Sequence, residues 1–204
     1  LTVEETLQFA ARIRLDWKQA YTRNSAVVEN VIRILGLDDI RNSIIGDENV
    51  RGISGGQRKR VNVGIEMCAQ PSDLFLDEPT SGLDYSSSQE VCQDLRDIAD
   101  LGINVMAVIH QPRYEIFQMF HNVLLLAKGG KAVYLGPTSE VVGYFAKLGF
   151  NCPEKSNPSD FILDVVSGSV PNSLDYKQLP EFWAKHQEQV AASPVQSSTS
   201  MSFT

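Results

Sequence analysis

Two short stretches of this 204-residue chain hold residues whose types and spacing could do chemistry: Ile53-Ser54-Gly55-Gly56-Gln57 and Leu76-Asp77-Glu78-Pro79-Thr80-Ser81-Gly82-Leu83-Asp84. In the first, two glycines follow a small hydroxyl residue and lead into a helix-competent run from Gln57 to Met67. Backbone N–H groups are therefore left unshielded where a helix begins. Such a terminus attracts anions, because its free donors and its partial positive charge both favour phosphate. Ser54 is the expected N-cap and adds a hydroxyl at the same point. In the second, Asp77 and Glu78 stand side by side after the apolar Leu74-Phe75-Leu76, as at the end of a buried strand. Adjacent acids at a strand end can divide labour, Asp77 holding Mg²⁺ through oxygen and Glu78 polarising a water. Taken singly, a Gly-Gly pair also marks ordinary turns and an Asp-Glu pair also sits on solvated faces.

The elements that must position these residues are legible around them. Thr2 and Glu5 have capping-box spacing, and Leu7, Ala10, Ala11 and Arg14 then run at helical period. A second amphipathic helix runs from Ser25 through Val28, Val31, Ile32 and Leu35 and stops at Gly36. Asp38 to Gly52 reads as a polar loop, Gly55 to about Cys68 as a helix, Asp73 to Asp77 as a strand and Tyr85 to Ala99 as a helix. Ile103 to Ile109 is a continuous apolar run ending at His110. Strand, helix and strand in that order imply buried parallel strands, whose carboxyl ends put Asp77, Glu78 and His110 on one rim. Beyond Phe117, Val123 to Leu126 and Ala132 to Leu135 flank Lys128-Gly129-Gly130 as a hairpin. Helices are expected over Ser139 to Leu148, from Asn157-Pro158 onward, and over Leu179 to Ala192 with Phe182 and Trp183 as anchor. The Ser/Thr-rich Ser193 to Thr204 reads as a flexible linker.

Composition narrows the function classes. With 43% hydrophobic residues the chain is ordinary for a globular protein, and a net charge of −7 with a pI near 5.0 argues against a nucleic-acid partner. Arg58-Lys59-Arg60 is the one dense basic cluster, equally readable as a solvated helix face or as a grip on phosphate or a partner domain. Cys68, Cys92 and Cys152 are too few and too scattered for a disulfide framework or a zinc site, and suit reduced thiols in a cytosolic setting. No apolar run approaches the ~20 residues of a membrane span. A start at Leu1, without a signal peptide, is expected of a fragment.

In this order and spacing, the two stretches resemble the signature motif, Walker B and D-loop of ATP-binding cassette (ABC) ATPases. The wording Val50-Arg51-Gly52-Ile53-Ser54-Gly55-Gly56-Gln57-Arg58-Lys59-Arg60-Val61 is similar to the G subfamily, the white/brown-type half-transporters. Further resemblance lies in Leu1 to Leu7, in His110-Gln111-Pro112 as the switch histidine, and in Gly136-Pro137, Tyr144-Phe145, Gly149-Phe150, Cys152-Pro153, Asn157-Pro158 and Asp160-Phe161. It covers about Leu1 to Val166. Asp73 departs from it, standing where the family has the first apolar residue of the Walker B strand, which should shorten the strand by one residue. No G-x-x-x-x-G-K-[ST] occurs in the sequence, and Gly130-Lys131 is not one, since Ala132 follows it.

The resemblance implies an α/β fold of the P-loop NTPase type, a parallel-sheet core with a helical subdomain, incomplete at the amino terminus. Residues 1–69 would be the helical subdomain with the signature. Residues 70–168 would carry the Walker B and switch part of the core with a G-type extension, and residues 169–204 a helix and linker towards a membrane domain. Implied cofactors are ATP and Mg²⁺. Implied partners are a second nucleotide-binding domain, in a homo- or heterodimer, and the membrane domain of the same polypeptide, with no nucleic acid. Ser54, Gly55, Gly56 and Gln57 would bind ATP held mainly by the partner domain. Asp77 would position Mg²⁺ through water, Glu78 would be the general base, His110 would stabilise charge on the transferred phosphoryl, and Ser81, Gly82, Leu83 and Asp84 would form the D-loop. The implied activity is ATP hydrolysis coupled to export of lipid-like or hydrophobic substrates across a membrane, with this domain on the cytoplasmic side. The alternative is a truncated, non-hydrolysing dimerisation module. Without the rest of its core, the chain is expected to expose an apolar sheet face and to be prone to aggregation.

Overall fold

The computed structural model describes residues 1–15, 21–47, 49–154, 156–171 and 174–192; the linker expected over Ser193 to Thr204 lies outside the described residues. The chain divides into two units, Leu1–Met119 and Phe120–Thr204.

In the first unit, α1 (Val3–Arg14) begins with the expected box: Thr2 Oγ1 accepts from the Glu5 amide at 3.2 Å, and Glu5 Oε2 accepts from the Thr2 amide at 2.9 Å. Helix α2 (Tyr21–Ile34) is followed by Gly36 in the left-handed region, φ +56°, which is the conformation that ends a helix at glycine. A single 3₁₀ turn, Asp38–Ile40, starts the loop that leads to α3 (Gly55–Met67). The three helices share a core of Val3, Leu7, Ala11, Val28, Val31, Ile32, Leu35, Val61 and Met67. Gly64 marks their closest approach: a Cβ there would sit 3.0 Å from Leu7 and 3.1 Å from both Leu35 and Val31.

Strands β1 (Asp73–Asp77) and β2 (Asn104–Val108) pair in parallel, Asp73 with Asn104 through Asp77 with Val108, with α4 (Tyr85–Asp100) as the crossover. This mixed α/β arrangement is the expected one in outline, with two differences. Asp73 does not shorten β1. Its carboxylate accepts from Ser72 Oγ at 2.7 Å and Asn104 Nδ2 at 3.1 Å, so the polar residue is satisfied at the strand start, and these bonds hold its pKa below the ordinary value. Nor are the strands buried on both faces. Leu74, Leu76 and Val105 meet the helical core, while Phe75, Met106 and Val108 on the other face are 72%, 47% and 63% exposed. Two strands with a helix on one side have no second layer for the other. The short helix α5 (Tyr114–Gln118) closes the unit.

In the second unit, β3 (Asn122–Leu126) and β4 (Ala132–Pro137) form the expected antiparallel hairpin. Helix α6 (Val141–Lys147) starts two residues later than the sequence suggests, because Pro137 to Glu140 closes as a turn through Glu140 N–H to Pro137 O. Helix α7 (Pro158–Ser167) is capped by Asn157, and α8 (Leu179–Ala192) packs on β4. Trp183 lies beside Tyr134 and Tyr144, with ring centroids 5.4 and 5.5 Å away. Among the described residues no helix is long and apolar enough to cross a membrane.

Candidate functional site

The loop before α3 is pinched so that Ser54 meets the helix axis. A Cβ on Gly52 would lie 2.1 Å from the Ile45 carbonyl oxygen, and one on Gly46, at φ +78°, 2.5 Å from the Gly52 nitrogen. Only glycine allows backbones so close. Asp47 Oδ1 accepts from the amides of Asn49 and Val50 at 2.8 and 2.9 Å, which lowers its pKa, and Arg58 donates back from α3 to the carbonyls of Gly46 and Ile45. Ser54 then caps α3, its Oγ accepting from the Gln57 amide at 3.2 Å while Gln57 Oε1 accepts from the Ser54 amide at 2.9 Å. The Gln57 side chain is thus engaged in the cap, and the amides of Gly55 and Gly56, in the first turn, have no acceptor a turn behind them. Gly55 is exposed and Gly56 buried, and a Cβ on each would meet Leu83 at 3.3 Å and Ser87 at 3.2 Å.

The parallel pair brings Asp77, Glu78 and His110 to one carboxyl-end rim, where all three are exposed. Glu78 follows β1 directly and donates its amide to the Val108 carbonyl at 2.9 Å, two residues before His110. Its φ is +46°, and Gln111, beside His110, has φ +45°. A left-handed non-glycine residue costs on the order of 1–3 kcal/mol, and Pro79 after Glu78 disfavours a helical-type backbone still further. Such strain persists only where surrounding contacts over-determine it, and it clusters at working sites.

The segment after Glu78 is a run of tight turns. Ser81 donates to the Glu78 carbonyl at 3.1 Å, Leu83 donates to Thr80 at 3.3 Å, and Gly82 takes φ +76°. Asp84 then caps α4, accepting from the Ser87 amide at 2.7 Å, which holds its pKa below the ordinary value. Beyond His110, the Arg113 guanidinium stacks 4.5 Å over the Tyr85 ring, tying the end of β2 to the start of α4.

Each residue of the basic cluster on α3 has a partner within the chain, with Arg58 still exposed. Arg58 holds the preceding loop, Lys59 Nζ donates to the Glu78 carbonyl at 3.2 Å, and Arg60 pairs with Glu90 and, at 2.9 Å, with Asp94. Lys59 and the left-handed Gln111 join the rim without a signal in the local sequence pattern, since each depends on what the fold brings beside it.

The chemistry of the two groups suits a phosphate at the start of α3 and, separately, a magnesium ion at the rim. Open amides and a bare glycine backbone at Gly55 accept an anionic oxygen, and the exposed Asp77 carboxylate offers a hard oxygen. Among the described residues no group of three or more acidic, histidine or cysteine side chains could hold a metal ion.

Comparison with known proteins gives the same reading. A family profile described as "ABC transporter" matches residues 1–81, and one described as "ABC-2 type transporter" matches residues 110–202. The chain is 50% identical over 190 residues to ABC transporter G family member 28 of Arabidopsis thaliana, covering 91% of this chain and 17% of that protein. It is 46% identical over 188 residues to the putative white-brown complex homolog protein 30 of the same plant, covering 91% and 17%. It is also 44% identical over 168 residues to the broad substrate specificity ATP-binding cassette transporter ABCG2 of Sus scrofa, covering 82% and 26%. The chain therefore spans about a sixth to a quarter of the length of these relatives. Profiles over both parts of the sequence and relatives of one kind agree: the chain belongs to the ABC transporter family, in its G-type, white-brown branch.

Proposed function

We propose that this chain is the signature, Walker B and switch part of an ATP-hydrolysing nucleotide-binding domain in a G-type ABC transporter. The domain would complete a P-loop NTPase fold and work as a dimer with a second such domain. Residues 1–69 serve as the helical subdomain, residues 70–168 as the rim-bearing core with its extension, and residues 169–204 as the lead towards a membrane domain. The observation that carries the reading is Glu78, held in a left-handed backbone at the end of β1, on one rim with Asp77 and His110.

Ser54, Gly55 and Gly56 bind the terminal phosphate of ATP held chiefly by the partner domain, with Gln57 closing the cap that keeps their amides open. Asp77 would hold Mg²⁺ through water, and the ion would supply neutralising charge to the nucleotide. Glu78 accepts the proton of the attacking water, and His110 donates towards the transferred phosphoryl. Ser81 to Asp84 connect this rim to the start of α4. Hydrolysis on the cytoplasmic side would be coupled to export of lipid-like or hydrophobic substrates across a membrane.

In the complete protein, Glu78→Gln is expected to lower ATP turnover by at least ~10²-fold, the low end for loss of a general base, with nucleotide binding retained. Turnover close to wild type in a steady-state phosphate-release assay would sink the reading of Glu78 as general base, and absence of turnover in the unsubstituted protein would favour a non-hydrolysing dimerisation module.

A further inference from the structure

Glu78 is held in place by more than its strand. Its amide donates to the Val108 carbonyl, and its carbonyl accepts twice, from the Ser81 amide at 3.1 Å and from Lys59 Nζ at 3.2 Å. The first two bonds are backbone to backbone. The third comes from a side chain on α3, five residues beyond Ser54. A residue that precedes proline and carries a positive φ relaxes unless its neighbours forbid it. An ammonium on its carbonyl gives one charge-assisted bond that opposes rotation of the Glu78-Pro79 peptide. Lys59 is the one of the three clustered cations that reaches the rim: Arg58 is committed to Ile45 and Gly46, and Arg60 to Glu90 and Asp94.

Helix α3 also seats its first turn on the segment after Glu78, Gly55 against Leu83 and Gly56 against Ser87. A small translation of α3 would therefore carry Lys59 with it and pull on the Glu78 carbonyl. We propose that Lys59 is a positioning residue that sets the backbone of Glu78 according to the position of α3, so that an anion seated at Ser54-Gly55-Gly56 adjusts the carboxylate that serves the chain's own nucleotide. This rests on the reading of Glu78 as proton acceptor.

The test uses the complete transporter containing this chain, with Lys59→Met, Lys59→Arg, Glu78→Gln and the Lys59→Met/Glu78→Gln double variant. Lys59→Met keeps the aliphatic stem and removes the donor, whereas arginine restores a cation that can reach the carbonyl. Expected for Lys59→Met is a kcat for ATP lowered about tenfold with KM within about twofold, and no further loss when it is added to Glu78→Gln. Lys59→Arg should recover most of the turnover at the same thermal midpoint. If Glu78→Gln is inactive and Lys59→Met keeps its kcat, raises only KM, multiplies the loss of Glu78→Gln, or is not rescued by arginine, the positioning role is refuted and the hydrolytic reading stands. If Glu78→Gln itself turns over normally, the reading of Glu78 as proton acceptor falls and the positioning role falls with it.

Discussion

The three-helix region of α1, α2 and α3 and the two-stranded region of β1 and β2 lie in the same unit, yet they are finished to different degrees. In the helices, apolar side chains meet on all sides of Gly64, and Leu7, Ile32 and Leu35 are buried to within 1% of full exclusion. In the strands, one face is joined to that core, and the other leaves Phe75 and Val108 mostly in water. A helix bundle closes on itself by adding one helix to two, whereas a parallel pair needs layers on both faces. The contrast is one of degree, since Phe9 and Ile13 on the outer side of α1 are 60% and 65% exposed as well. It also separates the signature helix, anchored in the closed part, from the Asp77, Glu78 and His110 rim, anchored in the open part.

The largest stability effect should fall in the closed part. Leu7→Ala removes a fully buried side chain from between α1 and α3 and should cost ~2–5 kcal/mol in the unfolding free energy of the 204-residue chain. A loss below that range in urea titration would mean that the helices can collapse around the gap, and the comparison would lose its firmer side. A smaller effect, dependent on pH, is expected where α3 meets α4. Burial pushes the Asp94 carboxyl up to about 6, Arg60 pulls it down, and Asp97 and Glu90 raise it further. Because the folded state holds this proton more tightly than the unfolded chain does, the contribution of Asp94 to stability is present at low pH and is lost as pH rises through about 6. Asp94→Asn should therefore flatten the stability profile across that window, measured as denaturation midpoints at successive pH values. An unchanged slope would show that Arg60 keeps the carboxylate charged throughout.

What was legible in the sequence follows the same division. Cap chemistry is local, so Thr2 with Glu5, Ser54 before the glycine pair and Asn157 before Pro158 each announced a helix start that the structure contains, and Gln57 completes the box at Ser54. The hairpin turn at Lys128-Gly129-Gly130 was legible for the same reason, whereas the parallel pairing followed from the strand, helix, strand order, with the second strand running over Asn104–Val108 inside the apolar run Ile103 to Ile109. The exposed sheet face was expected from the incompleteness of the core that the resemblance implies, and not from the strands themselves, since Leu74-Phe75-Leu76 has the same pattern whether one face or two are covered. The positive φ of Glu78 was hidden, being set by Val108, Ser81 and Lys59 around it. Arg58, Lys59 and Arg60 looked alike as a basic run. Their separate partners, a loop carbonyl pair, a strand-end carbonyl and two carboxylates, exist only once α3 is placed.

The smallest effect falls on the open face, where it separates what that face is now from what it is built to meet. Phe75→Thr replaces a side chain that is 72% exposed with another β-branched or aromatic-class strand former, so the unfolding free energy of the 204-residue chain should change by no more than ~0.5 kcal/mol. Self-association, followed by light scattering, should fall, since one of the larger apolar side chains on that face is gone. In a longer protein whose further strands cover the face, the same substitution would remove a buried aromatic ring and cost several-fold more, ~3 kcal/mol or above. A large cost in the short chain would mean that Phe75 is already covered there, and the division between closed helices and open strands would fail. Equal, negligible costs in both would mean that this face stays uncovered, and a parallel core completed across β1 and β2 would have to be abandoned.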